Sequence, residues 1–127
     1  MNMLKPLLLI GIGGFFGSIC RFLVNDFFQK NYPNDYPWGT FAANMLGCFL
    51  IGLILGAASS GNIPKALIWL FATGFCGAFT TFSTFSFESY SLLNDSKMVL
   101  AIMYVGVSVV VGLLCTWVGI GLSKAVI

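Results

Sequence analysis

The chain has 127 residues, of which 58% are hydrophobic and only 8% are charged, with a formal net charge of +2. Soluble domains carry about 25% charged residues, so this composition excludes a water-soluble domain. We therefore predict an integral membrane protein with a single domain, and we expect no nucleic-acid partner.

Four apolar segments follow one another along the chain. They cover about residues 6–28, 38–60, 64–93 and 98–123. Each reaches the ~20 residues that a helix needs to cross ~30 Å of hydrocarbon. Membrane strands would alternate in polarity, and these segments do not. The prediction is an all-α membrane protein with four transmembrane helices in one domain, residues 1–127, joined by turn-rich connections.

The first segment contains one strongly polar residue, Arg21. An arginine at a helix centre costs about 2.5–3.5 kcal/mol on insertion scales, but Arg21 is nearer the segment end, where its side chain can reach the interface. Lys5 before an apolar run also fits a signal peptide, an interpretation that the three similar spans downstream disfavour.

Small residues recur in these spans. Gly13-x-x-x-Gly17 and Gly52-x-x-x-Gly56 predict close helix contacts, within one subunit or between subunits. One cysteine falls in each span, and no histidine is present. The cysteines lack metal-site spacing and are interpreted as packing residues.

The third segment carries the most unusual pattern of the chain. Five hydroxyl residues lie between Thr80 and Ser86, and phenylalanines recur every third residue from Phe79. These hydroxyls can bond the carbonyls four residues earlier in an ordinary helix, or they can compete with the helix and break it. A break would free carbonyl oxygens near Gly77 and Thr80, which suit a small, hard cation.

The fourth segment presents Tyr104, Ser108 and Thr116 on one helical stripe. Such hydroxyls either join helices together, at roughly 0.6 kcal/mol each, or line a polar pathway with Asn44. Hydroxyl and amide groups donate hydrogen bonds, and phenyl rings have positive edges. A lining of this kind favours a small anion, although the residues alone do not identify which.

Lysines at the segment ends are nearly balanced between the two sides of the membrane. Lys5, Lys65 and Lys124 fall on one side, and Lys30 and Lys97 on the other. This distribution gives almost no positive-inside bias. The chain therefore inserts either in one orientation set by other features or in both orientations.

At these residues the chain resembles the Fluc, or CrcB, family of small fluoride channels, over nearly its whole length. The third-segment pattern is the specific part of the resemblance, and the others are weak alone. The residues that carry it are Gly17 and Arg21, then Trp38-Gly39-Thr40, Asn44 and Gly47, then Gly74, Gly77, Thr80-Thr81-Phe82-Ser83-Thr84-Phe85-Ser86 and Glu88, and finally Tyr104 and Ser108.

The resemblance implies an antiparallel, dual-topology homodimer whose third helix is broken near its centre. It implies two fluoride pores, in which the ring edges of Phe82 and Phe85 and the amide of Asn44 bind the ion. Thr40, Ser83, Thr84, Tyr104 and Ser108 would line the path, with Arg21 near its mouth. It also implies a structural sodium ion at the dimer centre, held by the backbone carbonyls of Gly77 and Thr80.

The function implied is passive, voltage-driven fluoride efflux through the inner membrane of a bacterium, without enzymatic chemistry. Many relatives have a hydroxyl where this chain has Gly112, which shortens the expected polar track. One alternative is a proton-coupled multidrug-type exporter, which needs a carboxylate deep in the first span, where this chain has only Asp26 near the end. Glu88 suggests fluoride/proton exchange, and a non-transporting assembly protein is a further alternative.

Overall fold

The structure, a computed structural model, describes residues 2–126, and that part of the chain contains helices and no strands. Four helical spans are long and apolar enough to cross a membrane: Leu4–Asn31, Trp38–Ala58, Lys65–Asn94 and Met98–Val126. The predicted all-helical membrane architecture with four spans is thus confirmed.

The spans consist of seven helical elements. The first two spans are α1 (Leu4–Asn31) and α2 (Trp38–Ala58), and the last is α6 (Met98–Val126). The third span is divided into α3 (Lys65–Leu67), a π-helix (Ile68–Cys76), α4 (Gly77–Phe79) and α5 (Ser83–Asn94).

Two spans start directly after a proline, and two spans are followed by a residue with left-handed backbone conformation. Pro37 and Pro64 directly precede α2 and α3, where a missing N–H costs the helix nothing. After α2 the chain turns at Gly61, whose φ of 78° requires glycine-like freedom. After α5 it turns at Ser96, with φ of 62°.

Glycines allow two pairs of spans to touch backbone to backbone. A Cβ on Gly13 would collide with the carbonyl oxygen of Leu70, and one on Gly17 with that of Phe75, so α1 lies against the π-helix. On α2 and α6, Gly52 and Gly119 approach each other in the same way. The close packing predicted from the glycine spacings is confirmed, and these contacts lie within one chain.

The π-helix is a feature that the sequence pattern did not predict. It covers nine residues, Ile68–Cys76, against the glycine face of α1. A Cβ on Gly74 would lie 2.7 Å from the carbonyl oxygen of Ile10. Wide π turns in helices are uncommon and frequently occur next to functional sites. Here only the three residues of α4 separate the π-helix from the hydroxyl-rich segment.

The chain is not helical between Phe79 and Ser83. Thr80 has φ −88° and ψ 158°, an extended conformation. Its hydroxyl donates to the carbonyl of Cys76 at 2.9 Å. The helical hydrogen-bond pattern of the third span is therefore interrupted at a point where Asn44 of α2 bonds to its backbone.

Candidate functional site

A groove of about 350 Å³ runs between α2, the third span and α6. It brings together residues that are distant in sequence and that the sequence analysis had singled out. Those among its lining are Asn44, Gly77, Thr80, Phe82, Phe85 and Ser108.

Asn44 is paired with the extended backbone of Thr81. The Thr81 N–H donates to Asn44 Oδ1 at 2.8 Å, and Asn44 Nδ2 donates to the Thr81 carbonyl at 3.1 Å. Because Oδ1 accepts from a backbone N–H, the orientation of the amide is determined. Nδ2 carries two hydrogens, so one remains available for a ligand in the groove.

The start of α5 presents unpaired backbone donors beside the same groove. The Thr84 N–H is capped by Thr81 Oγ1 at 3.2 Å. The N–H groups of Phe82 and Ser83 have no acceptor among residues 2–126. Unpaired N–H groups at a helix N-terminus attract negative charge.

The end of α4 presents unpaired acceptors. Thr81 N–H donates to Asn44, so it leaves the carbonyl of Gly77 without its helical donor. The Thr80 carbonyl lacks a donor for a similar reason, because Thr84 N–H donates to the Thr81 hydroxyl. Within residues 2–126 no other group donates to either oxygen. Both carbonyls are therefore available to a cation.

Phe82 and Phe85 lie side by side, with ring centroids 5.9 Å apart and an angle of 46° between the ring planes. Phe82 is 78% exposed in the single chain, although it lies in the middle of a membrane span. Phe85 is half-buried and packs on the ring of Tyr104 at 5.0 Å. Both rings line the groove.

Ser108 is a polar side chain without a partner. It is only 9% exposed, and its Oγ atom has no hydrogen-bond partner in the described chain. A buried hydroxyl without a partner costs free energy. Since Ser108 lines the groove, a ligand there would satisfy it.

Tyr104 and Thr40 both donate to the carboxylate of Glu88. Tyr104 Oη lies 2.9 Å from Oε1, and Thr40 Oγ1 lies 2.9 Å from Oε2. Both hydroxyls were expected to line the fluoride path, but neither lines the groove, and Glu88 was considered only as a proton-coupling group. The residues are 16 and 48 positions from Glu88 in sequence, and no local pattern links them.

Arg21 does not line the groove but lines a neighbouring cavity, and Thr81 lines both. The Arg21 Nε donates to the carbonyl of Ala78 at 2.9 Å. The side chain lines a cavity of about 200 Å³, together with Ser18, Asn25, Thr40, Thr81 and Thr84. Ser83 and Thr84 follow Phe82 in the chain. Thr84 lines this cavity, whereas Ser83 does not, and Ser83 Oγ lies 3.4 Å from Thr81 Oγ1.

Thr116 joins two helices and does not line the groove. Its hydroxyl lies 3.3 Å from the carbonyl of Cys48 and 3.2 Å from that of Gly112. A Cβ on Gly112 would meet Met45 and Cys48 at 3.4 and 3.6 Å, so a small side chain fits there with little adjustment.

The connection between α1 and α2 covers a third cavity, of about 450 Å³. Tyr36 of this connection contacts the ring of Tyr104 with centroids 5.3 Å apart. Burial raises the pKa of the Tyr36 phenol, so the ring stays neutral. Asp35 pairs with Lys97 at 2.9 Å and ties the connection to the start of α6.

Comparisons with known proteins agree with this architecture. The sequence model of the family described as "CrcB-like protein, Camphor Resistance (CrcB)" matches residues 8–120. A fluoride-specific ion channel FluC from Citrifermentans bemidjiense is 42% identical over 123 residues, which are 96% of this chain and 99% of the relative. FluC proteins from Campylobacter lari and Leptospira interrogans are 39% and 42% identical over 122 and 127 residues. Those alignments cover 96% and 98% of this chain, and 100% and 98% of the two relatives.

Proposed function

Because the chain belongs to the CrcB family, we propose that it is a fluoride channel of a bacterial inner membrane. It is a multi-pass membrane protein and a transporter, not an enzyme. The observation that carries the proposal is the groove, where uncharged donors and aromatic rings converge on one space. The Ser108 hydroxyl, which is buried and lacks a partner, can supply one of these donors.

The composition of the groove favours a small anion over a cation. Its side-chain lining contains an amide, hydroxyls and phenyl rings and no formal charge. Moving an ion of carboxylate size into a low-dielectric medium costs of order 20 kcal/mol by the Born estimate, and a smaller anion costs more. Close donors must therefore replace the hydration shell. The free Nδ2 hydrogen of Asn44 and the N–H groups of Phe82 and Ser83 are such donors, and ring edges supplement them.

Fluoride efflux needs no source of energy besides the membrane potential. A negative interior drives an anion outwards with about 2.3 kcal/mol per 100 mV for each charge. Fluoride enters cells as neutral hydrogen fluoride and dissociates at cytoplasmic pH, so an open, selective path is sufficient to lower its concentration.

We propose further that two copies pair in antiparallel orientation and that the third span is functionally broken at residues 80–82. Unpaired N–H and carbonyl groups at membrane depth cannot face lipid. Phe82 and its neighbours are nevertheless open on one side of the single chain. A second copy would cover this side and complete the walls of two pathways.

The unpaired carbonyls support a structural sodium ion. Gly77 and Thr80 lie at the point where the helix stops, and both of their oxygens lack donors in the described chain. Carbonyl oxygens suit small, hard cations. Two such breaks that meet on the dimer axis would supply four ligands, which offset the cost of leaving these oxygens unpaired.

Replacing the aromatic rings tests this function. We expect Phe82→Ile or Phe85→Ile to abolish fluoride efflux from liposomes, because an aliphatic side chain has no positive edge. Phe87→Ile is the matched control, since Phe87 lies on α5 with Phe85 and is 69% exposed but does not line the groove.

The readouts are a fluoride electrode for efflux, chloride efflux for selectivity, and gel filtration for assembly. Undiminished fluoride efflux in both groove variants would reject the ring-edge mechanism. A wild-type protein that releases no fluoride would reject the channel itself.

Of the alternatives, fluoride/proton exchange has a specific observation in its favour, the carboxylate of Glu88, which accepts hydrogen bonds from Thr40 and Tyr104 within the membrane-spanning part of the chain. Flux that follows voltage and ignores an imposed pH gradient would exclude the exchanger. The multidrug-type exporter has no such support. Asp26 is paired with Lys30 at 2.9 Å, near the end of α1.

A further inference from the structure

Glu88 accepts the hydrogen bonds of the Thr40 and Tyr104 hydroxyls. Without Glu88, these two hydroxyls could donate to an anion. Thr40 lies one helical turn before Asn44 on α2, and Tyr104 lies one turn before Ser108 on α6. The Tyr104 ring also contacts Phe85 of the groove. The clasp of Thr40, Glu88 and Tyr104 therefore continues the line of groove residues at one end.

Each hydroxyl has one hydrogen and two lone pairs. While Glu88 is ionised, the hydrogens of Thr40 and Tyr104 both point at its oxygens, at 2.9 Å each. A passing anion then meets hydroxyl lone pairs and a negative carboxylate, and both repel it.

A proton on Glu88 reverses one of these bonds. The new carboxyl O–H donates to a lone pair of Thr40 Oγ1 or Tyr104 Oη, and the hydrogen of that hydroxyl is released for another acceptor. The second hydroxyl continues to donate to the remaining carboxyl oxygen. One proton thus adds one donor to the path and removes one negative charge.

We propose that Glu88 is a positioning residue whose protonation state sets how many hydroxyl donors the pathway offers to fluoride. This inference rests on the proposed channel function and defines a regulation of the same site. Anion conduction increases when Glu88 is neutral and decreases when it is ionised.

Other titratable or charged groups also face this carboxylate. Besides Tyr104, the cavity under the α1–α2 connection places Asp35, Tyr36, Asp95 and Lys97 around Glu88. Asp35 and Lys97 are paired with each other, and Arg21 of α1 shares the neighbouring cavity with Thr40. Asp95 is thus the carboxyl group that must be separated from Glu88 by experiment.

The test measures fluoride currents across a bilayer that contains the reconstituted full chain, because neutral hydrogen fluoride carries no current. Glu88→Gln is nearly isosteric and always neutral, and its amide can donate to one hydroxyl while accepting from the other. At about pH 8 we expect its current to exceed that of the wild type, in which both carboxylate oxygens of Glu88 accept hydrogen bonds from the hydroxyls. The expected factor is roughly two to ten, the range that one net hydrogen bond spans.

The wild-type current should rise by a similar factor as the pH falls from about 8 to about 5, and the Glu88→Gln current should stay constant. Asp95→Asn should keep the wild-type pH profile. The proposal would be overturned by a Glu88→Gln current that is at or below that of the wild type or that still follows pH. It would also be overturned if Asp95→Asn abolished the pH dependence of the current.

If Glu88→Gln does not assemble, the wild-type titration decides, because a current that stays flat or falls with acid contradicts the inference. A wild type without any fluoride current would overturn the proposed function, and this inference with it. A conducting wild type with a weakly conducting Glu88→Gln variant would overturn the inference alone.

Discussion

The pairing of Asn44 with Thr81 shows how one side chain can serve both the fold and the ligand. Its amide replaces the helical partners that the backbone of Thr81 lacks, through bonds of 2.8 and 3.1 Å. One N–H is left over and faces a groove where Ser108 also lacks a partner. Under the proposed function, the residue that pairs with the extended backbone would also offer a donor to fluoride.

Replacing Asn44 with aspartate separates these two roles. Asn44→Asp keeps an acceptor for the Thr81 N–H but loses both amide hydrogens and adds a negative charge. We expect fluoride efflux to fall by about tenfold or more, because a hydrogen bond to a charged group contributes about 1.5–3 kcal/mol. Efflux from liposomes measures the loss.

Gel filtration should show that this variant still assembles. Asn44→Ala is the comparison, since it also removes the acceptor and should reduce the assembled fraction. Wild-type efflux from Asn44→Asp would contradict a donor role for the amide.

Individual residues of the site could be predicted from the sequence, but their hydrogen-bond partners could not. The hydroxyls, phenylalanines and amide stood out because polar groups are rare in apolar spans, and the structure gathers several of them around one groove. The bonds that consume the Thr40 and Tyr104 hydrogens were not predictable. They depend on how α2, α5 and α6 cross, and the positions of these polar residues along their own helices do not specify that crossing.

At the scale of helices, glycine positions decide which spans touch. Gly119 and Gly121 lie on the same helix and illustrate the difference. A Cβ on Gly119 would collide with the carbonyl oxygen of Phe49, whereas a Cβ on Gly121 would meet nothing within 4 Å. Composition was sufficient to predict four spans, but the π-helix was not predictable, because it lies where the third span packs against the glycine face of α1.

The two glycines give a matched pair of variants. We expect Gly119→Ala to destabilise the protein by about 1–3 kcal/mol, the usual cost of overpacking, because the clash is with backbone atoms that cannot rotate away. Gly121→Ala should have little effect. Thermal unfolding in detergent measures both, and equal melting temperatures for the two variants would contradict the packing described for α2 and α6.

At the scale of the whole molecule, the lysines lie close to the ends of the spans. Lys5, Lys65 and Lys124 lie at one end of the bundle, and Lys30 and Lys97 lie at the other, where each is paired with an aspartate. Acidic residues contribute little to orientation, so three lysines oppose two. This balance supports insertion in both directions, which the proposed antiparallel pair requires.

A thiol placed in the connection between α2 and α3 tests this balance. In a variant whose four cysteines are replaced, Ser60→Cys should react with a membrane-impermeant reagent from either side of the inner membrane. We expect about half of the copies to be labelled from each side, because the lysine bias is nearly zero.

Adding two lysines beside Lys5 should shift the labelling strongly towards one side. If nearly all copies of the Ser60→Cys variant without added lysines were labelled from a single side, insertion in both directions would be excluded.

The near equality of lysines at the two ends also constrains how such a gene can evolve. If the chain pairs in antiparallel orientation as proposed, a mutation that adds or removes one terminal lysine would leave some newly made copies without oppositely inserted mates, and selection would act against it in a genome with one copy of the gene. After duplication the two copies can drift towards opposite biases, and each then becomes indispensable to the other.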